Sequence, residues 1–142
     1  MASGKCFKLH TDGGSRGNPG PAAIGIVLED TGGKIIKELK RYIGKATNNQ
    51  AEYEALIEGL KLARLYWKGA LECFTDSELL IKQINGEYDV KNKELKVAHA
   101  AVEKLVKQFP SVTFIHVRRA DKMQSLADKL VNEALDEEMG KK

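Results

Sequence analysis

Polar and apolar positions alternate with a period of two over Lys5 to Thr11 (KCFKLHT), and an apolar run follows at Ala22 to Glu29 (AAIGIVLE). Both patterns predict β-strands. Asp30-Thr-Gly-Gly33 carries hairpin chemistry, and Lys34 to Ile43 (KIIKELKRYI) returns as a third strand with a basic face, so the chain opens as an antiparallel meander. The period then changes. From Thr47 to Lys68, Ala51, Ala55, Leu56, Gly59, Leu60, Leu62 and Ala63 fall at helical spacing with Glu54, Glu58 and Lys61 outside. Thr47 is the expected N-cap, with Gln50 completing a capping box.

Ala70 to Thr75 (ALECFT) predicts a fourth strand, and either Asp76 or Ser77 caps a helix running to Ile84, which Asn85-Gly86 stops. Lys93 to Phe109 predicts another amphipathic helix ended by Pro110, Ser111 to Arg118 a fifth strand, and Ser125 to Glu138 a last helix with Ala127, Leu130, Val131, Ala134 and Leu135 inside. A meander followed by helix-linked strands implies an α/β fold with a five-stranded mixed sheet: the first three strands antiparallel, strands 1, 4 and 5 parallel through right-handed crossovers, and helices on both faces. The 142 residues are expected to form one domain, 1–142, with the charged stretch from about 136 to 142 as a candidate disordered tail.

The stretch from His10 to Pro21 interrupts this regular patterning. Four glycines and two prolines in twelve residues exceed what a hairpin needs, and such a loop lets backbone approach a ligand closely. In parallel sheets ligands gather at the carboxyl ends of the strands, where this reading places Asp12 after strand 1 and Asp76 after strand 4. Glu52 shares the inward helical face of Leu56, Gly59, Leu60 and Ala63, and an inward acid needs a charge partner or a metal. Asp128 opens the last helix.

Each acid also has an ordinary explanation: a cap for Asp76, the third position of a Ser125 capping box for Asp128, a first-turn acid for Glu52, a turn-opening residue for Asp12. Together these explanations fail. Carboxylates ~4 Å apart repel by about 4 kcal/mol per pair at an effective dielectric of ~20. An all-oxygen set selects a hard cation such as Mg²⁺ or Mn²⁺, and a carboxylate cage with open positions is a layout for two-metal phosphoryl transfer.

Composition restricts the picture less. A formal charge of +3 favours an anionic partner without deciding one. Cys6 and Cys73 lack motif spacing and are read as reduced core thiols, which with the absence of a signal-peptide pattern or an apolar span points to a cytoplasmic protein away from membranes.

Four motifs in order, Thr11-Asp12-Gly13-Gly14-Ser15 with Gly17-Asn18-Pro19-Gly20-Pro21, Thr47-Asn48-Asn49-Gln50-Ala51-Glu52, Thr75-Asp76-Ser77 and Leu126-Ala127-Asp128-Lys129-Leu130, make the chain resemble a type 1 ribonuclease H over nearly its whole length. The resemblance implies the RNase H-like fold and an endoribonuclease that cuts the RNA strand of RNA/DNA hybrids, leaving 5′-phosphate and 3′-hydroxyl ends. It implies that Asp12, Glu52, Asp76 and Asp128 bind two Mg²⁺ ions, with Mn²⁺ able to substitute. It further implies that Gly13 and Ser15 bring backbone against the substrate, that Asn18 and Asn48 read the minor groove and the 2′-hydroxyls, and that Thr47, Asn49 and Ser77 hold a phosphate of the DNA strand. A monomer is expected, and cutting of double-stranded RNA is left open.

Three departures from the family pattern stand out. Arg118 occupies the position ten residues before the last aspartate, often histidine, so its role there is electrostatic, on a phosphate. Glu78 stands where glutamine is usual. The tryptophan-rich basic helix is missing, as is a recognisable hybrid-binding domain, and Lys91, Lys93 and Lys96 read first as a solvated helix face and second as a weaker basic ridge. The competing readings are a hybrid- or double-stranded-RNA-binding module without catalysis, and another nuclease of the same fold such as a resolvase. Retention of all four acids argues against the first, and the Thr-Asn-Asn-Gln-Ala-Glu helix start against the second.

Overall fold

The computed structural model describes residues 5–140. The meander forms β1 (Cys6–Ser15), β2 (Gly20–Glu29) and β3 (Ile35–Ala46), followed by α1 (Asn48–Tyr66), β4 (Ala70–Thr75), α2 (Glu78–Ile84), α3 (Lys93–Val106), β5 (Val112–His116) and α4 (Lys122–Met139). The sheet runs β3-β2-β1-β4-β5, antiparallel across β1/β2 and β2/β3 and parallel across β1/β4 and β4/β5, as the patterning predicts.

The two faces are unequal. On one, α1, α2 and α3 close over the larger core, where Leu9, Ile24, Ile26 and Leu28 meet Tyr53, Leu56, Leu60, Leu80 and Val102. On the other, α4 alone packs Ala127, Leu130, Val131, Ala134 and Leu135 onto Ala23 and Val27. Among the described residues no helix is long and apolar enough to cross a membrane.

Four boundaries differ from the sequence reading, and each has a local cause. β1 and β2 run through the glycine-rich stretch, with Gly13 opposite Ile24 and Gly14 opposite Ala23, so the turn shrinks to Arg16–Pro19 and Asp12 lies inside β1 opposite Gly25. α3 stops at Val106, before Phe109. β5 ends at His116, which leaves Arg118 beyond the strand. α4 begins at Lys122 because the Asp121 side chain accepts from the Met123 and Gln124 N–H groups at 3.1 and 3.2 Å. Asp128 is therefore in the second turn, Ser125 is not the cap, and residues 136–139 of the expected tail are helical, while 141–142 lie outside the described residues.

Candidate active site

The parallel pairing of β1 with β4 ends at His10 opposite Phe74, whose rings stack with centroids 4.8 Å apart. Two residues further along come Asp12, inside β1, and Asp76, just past the end of β4. Ser77, rather than Asp76, caps α2, its Oγ accepting from the Leu80 N–H at 3.1 Å. The Asp76 carboxylate is thereby free to face the cluster. Cys6 and Cys73 are free thiols away from it.

Two glycines bring the other acids in. A Cβ on Gly13 would stand 2.2 Å from the Ala51 carbonyl oxygen and 2.7 Å from the Glu52 nitrogen, so α1 lies on β1 at a distance only glycine permits. The Gly13 N–H then donates to Glu52 Oε1 at 3.2 Å. Gly25, the cross-strand partner of Asp12, does the same for α4: its Cβ would stand 2.2 Å from the Ala127 carbonyl oxygen, one residue before Asp128. Gln124, fully buried, pins the start of that helix by donating Nε2 to the Thr11 carbonyl at 2.9 Å.

The carboxyl oxygens of Asp12, Glu52 and Asp76 consequently lie within 4.8 Å of one another. Asp128 stands outside this tight group but lines a cavity of about 170 Å³ together with Asp12 and Glu52. Burial, then the charges of Asp76 and Asp128, push the Asp12 carboxyl up to about 8, and burial followed by the charge of Asp12 holds Glu52 well above the usual carboxylate range. Arg119 Nε, 3.4 Å from Asp76 Oδ2, offsets this only from an exposed position. A buried all-oxygen set that its own protein cannot neutralise fits a hard divalent cation.

A family profile described as "Reverse transcriptase-like" matches residues 10–134. The chain is 44% identical over 126 residues to Ribonuclease HI of Halobacterium salinarum, covering 89% of this chain and 62% of that one. It superposes on the crystal structure of RNase H1 from the same archaeon with a TM-score of 0.88 and 42% identity, covering 92% of this chain and 98% of that chain. A structure of LC11-RNase H1 in complex with RNA/DNA hybrid matches at TM-score 0.87 and 40% identity, covering 94% of this chain and 99% of that chain. The chain belongs to the type 1 ribonuclease H family. It spans about 62% of the length of the Halobacterium Ribonuclease HI relative.

Within this ribonuclease H fold the expected substrate residues separate into groups. Asn18, Thr47, Asn48 and Asn49 line one polar cleft with Gln50 and Asn92, and Asn48 also lines the carboxylate cavity beside Gly13 and Ser15, so the two spaces adjoin. The Asn48 Oδ1 accepts from the Ser15 N–H and the Asn48 N–H donates to Asn18 Oδ1, each at 3.0 Å. Both side-chain carbonyls are thus used internally, and both amide NH₂ groups remain as donors. Thr47 forms the full capping box with Gln50, its Oγ1 accepting from the Gln50 N–H at 3.1 Å. Ser77 sits at the head of α2 beside Asp76, outside the cleft.

Arg118, ten residues before Asp128 as in the family pattern, does not line the carboxylate cavity. It is exposed beyond β5, and its neighbour Arg119 lines the cavity instead. The expected strand ran to Arg118, whereas β5 ends at His116 and both arginines follow it. Glu78 also faces solvent, 3.7 Å from Lys82. Asn92 and Gln124 were missed as well: an asparagine just before Lys93 was a legible cap for α3, but its place in the cleft, like the reach of Gln124 to Thr11, shows only once the helices are packed.

Proposed function

We propose that the chain is a metal-dependent endoribonuclease that hydrolyses the RNA strand of RNA/DNA hybrids. The convergence of Asp12, Glu52 and Asp76, with Asp128 beside them and a polar cleft adjoining, carries this reading. The named activity of the relatives and the hybrid bound to LC11-RNase H1 support it.

Asp12, Glu52, Asp76 and Asp128 would hold two Mg²⁺ ions, or Mn²⁺ in their place, which when bound supply an activated water on one side of the phosphate and charge neutralisation at the departing 3′-oxygen, giving 5′-phosphate and 3′-hydroxyl ends. Asp12, central to the cluster, would contribute its carboxylate oxygens to holding the metal. Asn18 and Asn48 direct NH₂ donors towards the cleft, matching the acceptors that the minor groove and the 2′-hydroxyls present. Thr47 and Asn49 at the start of α1, and Ser77 at the start of α2, would hold a phosphate of the DNA strand. Gly13 and Ser15 supply the close backbone approach. Arg119 takes the electrostatic role first assigned to Arg118. We further propose that the chain acts as a monomer in the cytoplasm.

The test incubates end-labelled RNA/DNA hybrid, single-stranded RNA, double-stranded RNA and duplex DNA with the chain and Mg²⁺ or Mn²⁺, alongside Asp12→Asn. Hybrid-selective cutting that the substitution abolishes is expected. Equal cutting of all four, or an active Asp12→Asn, contradicts the proposal.

A further inference from the structure

Arg16, at the start of the β1–β2 turn, reaches across to α4. Its Nη2 lies 2.7 Å from Asp136 Oδ1 and donates to Asn132 Oδ1 at 3.2 Å, and its Nη1 is 3.4 Å from Met139 Sδ. Asn132 passes the contact on, donating Nδ2 to the Asp128 carbonyl at 3.0 Å. An amide whose oxygen faces a guanidinium and whose nitrogen faces a carbonyl has only one satisfying orientation. A side chain bonded back to the carbonyl four residues earlier also biases the bend of its helical turn. That turn carries Asp128, the acid outside the tight group of three.

Arg16 and Asn132 line the carboxylate cavity with Asp12, Glu52 and Asp128. The turn that Arg16 begins is tied on its other side to α1 through the Ser15 and Asn18 bonds to Asn48. We infer that Arg16, acting through Asn132, is a positioning residue for Asp128, so that the turn presenting Asn18 to substrate also sets how closely Asp128 approaches the metal site. The inference rests on the reading of Asp128 as a metal ligand.

The fold contains a control for simple helix anchoring. Lys40 ties the same helix to β3 through Glu133 and Glu137 without touching Asn132 or Asp128. Exposed ion pairs of this kind contribute little by themselves. A role confined to anchoring would therefore give Arg16 and Lys40 variants the same phenotype.

The experiment titrates Mn²⁺ calorimetrically into the full chain and measures kcat and KM on hybrid for Arg16→Ala, Asn132→Ala, Lys40→Ala, Asp128→Asn and the Arg16→Ala/Asp128→Asn double variant. Groups that orient a metal ligand typically change affinity ten- to a hundredfold, and because Asn132 acts on a backbone carbonyl we expect about a tenfold weakening of Mn²⁺ binding in Arg16→Ala and Asn132→Ala. kcat should fall with them while KM changes less, Lys40→Ala should match the wild type, and Arg16→Ala should add nothing once Asp128 is replaced. Wild-type Mn²⁺ affinity in both Arg16→Ala and Asn132→Ala overturns the inference, as does a Lys40→Ala that copies them or an undiminished Arg16→Ala effect in the Asp128→Asn background. Should Arg16→Ala not fold, Asn132→Ala on its exposed face decides alone. Wild-type binding and cleavage by Asp128→Asn would contradict the metal-ligand reading itself, whereas an impaired Asp128→Asn with intact Arg16→Ala and Asn132→Ala contradicts only the present inference.

Discussion

The two helices that flank Asp12 perform the same task by different means. Each reaches the sheet through a glycine, α1 over Gly13 and α4 over Gly25, and each sets an acid against Asp12 one residue after the closest approach. α1 is held by packing: Tyr53, Leu56, Leu60 and Ala63 are buried in the larger core, and Glu52 itself is 8% exposed. α4 covers a smaller core and is positioned by polar ties, from Gln124 to the Thr11 carbonyl, from Arg16 to Asn132 and Asp136, and from Lys40 to Glu133 and Glu137. Glu52 is thus fixed by the same contacts that hold the fold together, and Asp128 by contacts that can be removed one at a time. Damage to the first face should appear as lost stability, and damage to the second as altered metal binding in a folded protein.

The largest effects should come from the two glycines. Gly13→Ala and Gly25→Ala each force a Cβ to within 2.2 Å of a helix carbonyl oxygen. Ordinary overpacking costs about 1–3 kcal/mol, and a clash this close with helix backbone should exceed it, at about 5 kcal/mol or more, with Gly13→Ala the worse because the larger core resists the shift of α1. Melting temperatures and hybrid cleavage of the pair check this: a Gly25→Ala that melts lower than Gly13→Ala reverses the comparison.

Next in size is Leu56→Ala, which removes a side chain 2% exposed from the α1 side and should cost about 2–5 kcal/mol, while the Mn²⁺ affinity of the surviving folded fraction stays close to wild type. Gln124→Ala, on the α4 side, abandons the Thr11 carbonyl and should cost about 1–3 kcal/mol, with a loss of Mn²⁺ affinity that Leu56→Ala does not show. Denaturant unfolding beside calorimetric titration separates the two behaviours.

A smaller and more gradual effect is expected with pH. The folded Asp12 keeps its proton to about pH 8, whereas an unfolded carboxyl releases it near the ordinary value of 3.8. Over that window the folded state binds more protons than the unfolded state, so the stability of the metal-free protein should fall as pH rises from about 4 to about 8. Glu52, raised mainly by burial, acts in the same direction. Asp12→Asn or added Mg²⁺ should flatten the slope, and metal-free melts that rise with pH across this window would contradict the electrostatic description. The smallest effect belongs to Lys40→Ala, an exposed pairing expected to change stability by less than about 1 kcal/mol and Mn²⁺ affinity not at all.

The strand order and the approximate places of the acids were legible in the sequence because periodicity changes sharply at Thr47 and because Ser77 and Thr47 are strong caps. The length of β1 was not. Gly13 and Gly14 look like turn residues, yet they remain in the sheet, and Gly13 there admits α1, a tertiary reason that local pattern does not encode. The start of α4 was placed too late because Asp121 was passed over for Ser125, which moved Asp128 from the second turn to the first. Arg118 was singled out by its place ten residues before Asp128, a spacing that does not reveal which of two adjacent arginines past the end of β5 reaches Asp76, and in the fold it is Arg119. Gln124, Asn92 and the Arg16–Asn132 contact join segments far apart in the chain, and only the fold brings them together.

The most direct test of the central claim, that both helices deliver their acids to a site organised by Asp12, is the Mn²⁺ stoichiometry of the chain bound to a non-cleavable hybrid analogue. The account predicts two ions per chain for the wild type, one for Asp128→Asn, and neither at measurable affinity for Asp12→Asn. An Asp12→Asn variant that still binds two ions with wild-type affinity would contradict it.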